Sequence, residues 1–507
     1  MDNRNYSIKM EKYYSQSNWS SGLSDSEFIG PRGSFSNSWG IDIHTTPGII
    51  QPALLPVKES GTKVIDFCKF AVDCSSGSTF FFGDAGNIYY RSVSSILVAS
   101  WGTVYKQSAG LATKGAGEFD GYIYWTMNGN VNRIPINGTW PTDVVWSWGS
   151  VNSSATYTPM VNMGLYLLIG SGTTIASVTE TGTIVSSGIP DVALSALSDS
   201  YSISSLHKYG IDVLVGTKGS GGITGSKLLR WDLASPAYTQ EIDVPEISVD
   251  CFLVTNNMTL FQAGNKGQIY RYDGTGIEPF KKIPEVIDIG KAKSAITYPQ
   301  SSGNFFGMGY FGISTGQYLA SNQGLYSIGR KNNSYPIALC HEFPSSCGSI
   351  RQVNIGAVVG GYNKTFDLPY LLFAWFQTTP ATYGIDAVFN TTTKIPTAYI
   401  ETQSISGDRF LQKTFQNYDI DYAQKPATTD IYLDYYKNNW KDNPEAHTSG
   451  TTRITLTDKS DYNKLVADDK IDAGAMKFRI TLAGGSTDPT FASVSNFYTS
   501  FDERSIL

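Results

Sequence analysis

The chain has 507 residues, with 38 Lys and Arg against 44 Asp and Glu, a net charge of −6 and only 16% charged residues. That balance excludes a protein that grips nucleic acid, because neutralising phosphates needs clustered cations. No run of 18 apolar residues exists to span a bilayer, and the polar N-terminus lacks the apolar core of a secretory signal, so synthesis in a cytoplasm is expected, without membrane insertion.

Gly (50), Tyr (31) and Phe (25) are abundant. Aromatic and β-branched side chains suit a pleated surface, while Gly and Asn suit its turns, so the composition predicts an all-β protein. Residues 1–33 are polar, rich in Ser, Asn and Tyr, and without clear periodicity. They read as an extended N-terminal arm. The segment SFSNSWGIDIHTTPGIIQPALLP (34–56) carries short apolar patches broken by Pro and Gly, and is expected to supply a ring-closing strand.

From residue 80 a rhythm of strand, glycine, strand recurs. It reads FFFGDAGNIYYR (80–91), GYIYWTMNGNVNRI (121–134), LYLLIGSGTTIASV (165–178), IDVLVGTKGSGGITGSKLLRWD (211–232), LFQAGNKGQIYRYD (260–273), YLASNQGLYSIGR (318–330) and LLFAWFQTTPATYGIDAVF (371–389). Aligning Gly86, Gly129, Gly172, Gly225, Gly267, Gly324 and Gly384 gives steps of about 40 to 60 residues, the length of one four-stranded propeller blade. Such blades cannot bury both faces alone, so neighbours stack and the ring closes. A β-propeller of about seven blades over 34–395 is predicted; unrelated hairpins in stacked sandwiches are the alternative. Beyond 395, five strands are expected at 410–422, 429–436, 452–456, 475–482 and 491–501, forming a C-terminal β-sandwich over 396–507. In AMKFRITL, alternation puts Met476, Phe478, Ile480 and Leu482 on a buried face and Lys477, Arg479 and Thr481 on a wet one. The segment 458–469 is a polar connection with room for a helical turn.

Chemistry is sparse. His44, His207, His341 and His447 show no metal-ligand spacing, and Cys340, His341 and Cys347 fall short of a ligand set. The odd set of five cysteines (Cys68, Cys74, Cys251, Cys340, Cys347) suits reduced thiols, with a Cys340–Cys347 bridge left open. Glycoside cleavage in a propeller funnel needs paired carboxylates, for which Asp84, Asp212, Asp232 and Asp386 are candidates. Each, like Asp273, reads better as a turn-capping Asp. The glycine-rich GSGGITGS (219–226) has neither the closing Lys of a P-loop nor the setting of a nucleophile elbow. Trp140, Trp146, Trp148, Trp375 and Trp440 offer sugar-stacking surfaces, though core packing is the better reading for most, with Trp440 the best exposed candidate. Lys281, Lys282, Lys291 and Lys293, beside Glu285 and Asp288, read as solvated surface. No catalytic, cofactor-binding or metal-binding residue is expected, and no cofactor.

The succession of polar arm, SWGIDI…TPGIIQP, weakly repeating aromatic propeller and sandwich ending in GAMKFRITL and a last strand resembles the tail nozzle and related tail propeller proteins of short-tailed bacteriophages. The resemblance covers nearly the whole length and is one of order and texture. It implies a virion structural protein without enzymatic activity. Identical subunits, usually six, would form a ring at the distal end of the tail, against other tail proteins, around a channel that passes DNA during ejection without specific binding. A host-recognition or carbohydrate-binding propeller, and a propeller-type glycoside hydrolase, are the alternatives from other classes.

Overall fold

The computed structural model describes residues 11–24, 31–95, 98–106, 111–283, 295–315, 323–330, 333–347, 353–363, 367–389, 393–405, 411–437, 453–473, 475–484 and 491–505. Seven antiparallel sheets follow one another along the chain: blade 1 (68–106), blade 2 (113–150), blade 3 (160–185), blade 4 (201–244), blade 5 (249–282), blade 6 (295–343) and blade 7 (353–389). The first strands touch in sequence around a ring, and that of blade 7, Val353–Asn363, returns to Cys68–Asp73 of blade 1. The fold is a closed seven-bladed β-propeller with a β-sandwich built on it.

Each glycine-centred hairpin forms the second and third strands of a blade. In blade 5 these are Met258–Ala263 and Gln268–Tyr272, paired from Ala263 opposite Gln268 to Thr259 opposite Tyr272. Both faces of such strands meet neighbouring blades, which is why they are nearly continuous apolar runs; Thr79–Gly83 is buried at every position. Gly267 (φ 70°) holds a left-handed turn conformation that a side chain would strain. Gly384 departs from the alignment. It lies inside the strand Ala381–Phe389, where an added Cβ would fall 2.5 Å from the Trp375 ring.

Closure falls one residue beyond the expected segment. Val57–Lys58 pairs with Ala387 and Asp386 to add the fourth strand of blade 7, and Ile385 N donates to Ser60 Oγ at 3.0 Å. Glu59 then reaches blade 1, accepting from Arg91 Nη2 at 2.8 Å and Trp101 Nε1 at 3.1 Å. The ring is thus latched by residues far apart in sequence, as closure requires.

The segment 34–56 has a different destination. Asn37–Trp39 pairs with Thr397–Glu401 in the sandwich, and Ile41–Asp42 pairs with Gln51–Pro52. Nor is the polar N-terminus merely an arm. Glu11–Ser17 pairs with Ser493–Ser505 from Glu11 opposite Asp502 to Ser17 opposite Asn496, giving one sandwich sheet its edge strand. Residues 1–10 and 25–30 of the expected arm lie outside the described residues.

The sandwich has one sheet ordered Glu11–Ser17, Ser493–Ser505, Leu411–Gln424, Lys464–Ala467, Thr457–Lys459, with Ile471–Ala473 also on Leu411–Gln424. The other runs Arg453–Ile454, Asp430–Lys437, Met476–Ala483, Thr397–Glu401, Asn37–Trp39. The polar connection at 458–469 contributes two of these strands around a single helical turn, Ser460–Tyr462. Phe478 lies among Phe415, Tyr418 and Phe497, its ring centroids 6.2, 5.6 and 5.0 Å from theirs. Met476, Ile480 and Leu482 are buried with it. The same core continues through Trp19, Phe35 and Ile41 into blades 5 and 6, so propeller and sandwich share one apolar interior. Gly22 (φ 72°) lies so close to blade 6 that a Cβ there would come within 2.5 Å of the Leu339 carbonyl oxygen.

The opposite face of Met476–Ala483 is not wet. Lys477 is only 6% exposed, and Arg479 and Thr481 are half-buried. This strand is central in its sheet, and its charges are matched by acids on its neighbours. Glu401 and Asp434 flank Arg479 in register, and Asp434 in turn faces Arg453, a row of alternating sign across four strands.

Candidate functional site

Most residues singled out by sequence are occupied within the fold. Asp212 is buried and accepts from Arg230 Nε at 2.6 Å. Asp232 caps its own turn, accepting from the Ala234 and Ser235 amides at 2.9 and 2.8 Å. Asp273 does the same for Thr275 and Gly276, whose amides hold its carboxyl down at about 2. Asp386, wholly buried, accepts from Trp375 Nε1 at 2.7 Å and Ser346 N at 2.6 Å, and burial pushes it up to about 6. Asp84 does not hold the turn that follows it. Asp66 takes the Ala85 amide and the Asn87 side chain, each at 3.0 Å, while Asp84 pairs with Lys69 at 3.3 Å. Asp84 lies in blade 1 and Asp386 in blade 7, while Asp212 and Asp232 sit at the same end of one strand pair of blade 4, where Asp212 is held by Arg230 and Asp232 by its own turn.

The histidines and cysteines are equally committed. His44 Nε2 lies 3.1 Å from Ser327 Oγ. His207 stacks on Phe252, and His341 lies between Trp39 and Tyr326; burial lowers both imidazoles to about 4. The Cys340 thiol donates to the Ile41 carbonyl at 3.1 Å and the Cys347 thiol to Gln377 Oε1 at 2.8 Å, so the two do not form a bridge. Among the described residues no group of three or more His, Cys, Asp or Glu is placed to hold a metal. Trp140 packs on Trp125 and Phe80, Trp148 carries the Arg133 guanidinium over its ring at 4.4 Å, and Trp375 is buried. Trp146 is 39% exposed yet lies 4.6 Å from Tyr105, ring to ring. Trp440 and His447 are outside the described residues, as are Lys291 and Lys293.

What sequence reasoning missed lies at the mouth of the central channel where the first strands begin and the second strands end. The first strands of blades 1, 2, 4, 5 and 7 each break register near their start, at Cys68/Phe70, Thr113/Gly115, Ile203/Ser205, Val249/Cys251 and Ile355/Val358. A bulge re-aims the extra residue out of the ladder. The residues so placed include Lys69, Lys114, Ser204 and Asp250.

Part of this mouth is filled. Tyr298 packs edge-on against Phe67 at 5.4 Å, and Phe67 meets Phe376 at 5.8 Å. Two residues on, Gln300 crosses the channel from blade 6. Its Oε1 accepts from Ala71 N at 2.7 Å in blade 1, and its Nε2 donates to the Ala116 carbonyl at 3.2 Å in blade 2. Gln300 therefore plugs the axis with a hydrogen bond at each end of its amide.

Beside that plug, between blades 4, 5 and 6 and the segment that leads into blade 3, a cavity of about 270 Å³ remains. It is lined by Tyr157, Ser204, Lys218, Ser248, Asp250, Asn265 and Thr297, with Ile247, Ile296 and Pro299 as its apolar wall. Asp250 is the only carboxylate among the described lining residues. Burial pushes its carboxyl up to about 7 against the pull of the Ser248 hydroxyl and the Lys218 ammonium. Tyr157, also desolvated, is raised to about 12. Chemically the cavity presents one acid that exchanges its proton near neutrality, one ammonium, hydroxyls, an amide and one aromatic side chain.

The raised carboxyl has a thermodynamic sign. Between about pH 4 and 7 the folded chain holds a proton on Asp250 that the unfolded chain has lost, so this group's contribution to stability falls as pH rises through that window. Asp250→Asn is expected to leave stability near pH 4 unchanged and to raise it at pH 8 by on the order of 2 kcal/mol, reduced for partial solvent access. Urea unfolding at both pH values checks this; equal effects at both would contradict it.

Fold and site together define a β-propeller protein whose polar constellation lies at one channel mouth. No family model matches the chain and no curated protein does. Among solved structures it is similar to the extracellular domain assigned to a one-component system of B. thetaiotaomicron, with 14% identity and TM-score 0.43 over 68% of this chain and 41% of that one. The chain thus spans less than half the length of that protein. It is also similar to the WD40 β-propeller domain of Doa1, with 12% identity and TM-score 0.39 over 67% of this chain and 97% of that one. For the computationally designed Ika8 protein the values are 11% and 0.35, over 67% and 99%. At these values the likeness carries no argument, and the fold rests on the strand pairing itself.

Proposed function

We propose that the chain is a structural subunit of a bacteriophage tail, of the nozzle type or an adjacent component, whose copies form a ring around the DNA conduit. The observation that carries this reading is the way one N-terminal segment ties the molecule together. Residues 11–58 supply an edge strand to each sandwich sheet and then the closing strand of the propeller. A body laced in this way, with one core running through both parts, is suited to bear load as a rigid block rather than to hinge around a substrate.

The cations add support. Arg91, Arg133, Arg230, Arg453 and Arg479 each stack on an aromatic ring, and four of them also meet a carboxylate. Guanidinium groups engaged inside the subunit are not offered to a passing polyanion, and the net charge of −6 repels one. That is the property a conduit wall needs. In this reading the chain acts in the virion tail, without catalysis, and its partners are its own copies and neighbouring tail proteins. Electron microscopy of the assembled tail, with the chain marked by a specific antibody, tests it. A closed ring of identical copies, six by the resemblance, around a DNA-wide channel is expected. A chain that is absent from the particle, or present as a single copy off the axis, would overturn the reading.

A further inference from the structure

The cavity between blades 4, 5 and 6 is not explained by a load-bearing role. Close-packed propellers fill such space with side chains, and the neighbouring aromatic cluster and Gln300 show this mouth doing so a few residues away. Here it stays open, with a few polar groups set in a largely apolar wall. Two of its lining residues, Ser204 and Asp250, occupy bulges in the first strands of adjacent blades, so the backbone of both blades leaves its ladder at the cavity wall.

The lining narrows the ligand class. A divalent cation would need several oxygen ligands of net negative charge, whereas the described lining has one carboxylate and an ammonium. A phosphate would meet the Asp250 carboxylate, and an organic amine would meet Lys218. A neutral polyhydroxylated ring conflicts with neither. Its hydroxyls donate to Asp250 and to the Asn265 carbonyl, accept from Lys218 and from the Asn265 amide, and its C–H face packs on Tyr157. The volume of about 270 Å³ is slightly below that of ordinary drug-sized pockets, which fits one sugar ring and not a longer chain buried whole.

We propose that this cavity is a carbohydrate subsite taking one pyranose unit, held by Asp250, Lys218 and Asn265 and stacked on Tyr157. The site lies at one mouth of the propeller channel, where a glycan's terminal residue can enter while the rest of the chain stays in solvent.

The test uses the full chain and a panel of free monosaccharides: glucose, galactose, mannose, rhamnose and N-acetylglucosamine. Saturation-transfer NMR and calorimetric titration are run up to about 20 mM sugar, the weak range expected for one small ring. At least one sugar is expected to bind saturably, and Asp250→Asn and Tyr157→Ala to weaken it at least about tenfold. Lys218 is exposed, so Lys218→Ala, which is expected to fold, keeps the test valid should either of the others unfold. It should weaken binding severalfold without moving the melting temperature. Absence of saturable binding across the panel, or binding unchanged in the variants that fold, would overturn the proposal. Neither result bears on ring assembly, which microscopy reads separately.

Discussion

Removing residues 1–33 is expected to destroy the sandwich rather than to release a dispensable tail. The deleted stretch includes the edge strand Glu11–Ser17, whose partner Ser493–Ser505 would be left with a bare edge and unpaired backbone groups. It also includes Trp19, wholly buried, whose Nε1 donates to the Ser495 carbonyl at 3.0 Å, and the buried Leu23. Trp19→Ala alone should cost about 3–5 kcal/mol through the cavity it leaves. The full deletion removes that contribution, the strand pairing and the contact of Gly22 with blade 6 together, a sum comparable with the whole stability of an ordinary domain. Calorimetry of the truncated chain is expected to show loss of the cooperative transition or a fall in melting temperature of tens of degrees. Melting within a few degrees of the intact chain would show that the segment is an arm after all. The Trp19→Ala variant, which removes one side chain and no backbone, then gives the graded version of the same measurement.

The contrast between that segment and the blade hairpins shows where sequence is informative. The second and third strands of a blade are buried on both faces, so Phe80, Phe81 and Phe82, or Leu214 and Val215, announce themselves as apolar runs punctuated by a turn. The outer strands face solvent on one side and can shrink to a pair such as Ile184–Val185, leaving little to read. Glu11–Ser17 is an edge strand in which Tyr14 packs against the main core, while Gln16 is buried through a hydrogen bond to the Ser34 carbonyl. Its polarity is real, but its partner lies at the far end of the chain, and composition cannot reveal a pairing. The channel-mouth site is legible only as an anomaly. Asp250 is an acid inside the run Val249–Thr255, and such a residue is either paired or placed for use. The bulge that turns it toward the cavity depends on where Ala263 and Gln262 fall opposite it, which no local pattern specifies. Asp66 was hidden for a similar reason: it serves a turn 19 residues downstream.

The charged row across the sandwich carries the second large effect. Lys477 and Arg479 alternate with Phe478 and Ile480, the pattern of a strand with one wet face, yet both cations converge on Glu401, 76 or more residues away. Lys477 Nζ lies 2.7 Å from one oxygen, and Arg479 places Nη2 at 2.6 Å and Nε at 2.9 Å from the other. Tyr399 lies 4.2 Å from the Arg479 guanidinium, completing its enclosure. The two cations hold the Glu401 carboxyl well below the usual carboxylate range although burial alone would raise it. Glu401→Ala takes from two desolvated cations the carboxylate on which both converge, and breaking a buried pair from one side typically costs about 3–5 kcal/mol. A double variant, Glu401→Ala with Lys477→Met, removes one of the two desolvated charges and is expected to recover a substantial part of the loss, because the penalty arises mainly from burying positive charge without the Glu401 carboxylate. The pH dependence has a definite sign. A carboxyl whose folded pKa is depressed binds fewer protons than in the unfolded chain, so its contribution is fully present above about pH 4 and is lost as pH falls through the folded value. Urea unfolding of the wild type and Glu401→Ala at pH 7 and at pH 3 separates the cases. The gap between them should be widest at pH 7 and shrink in acid; a gap that stays constant, or a double variant no better than the single one, would mean that the row is packing and not paired charge.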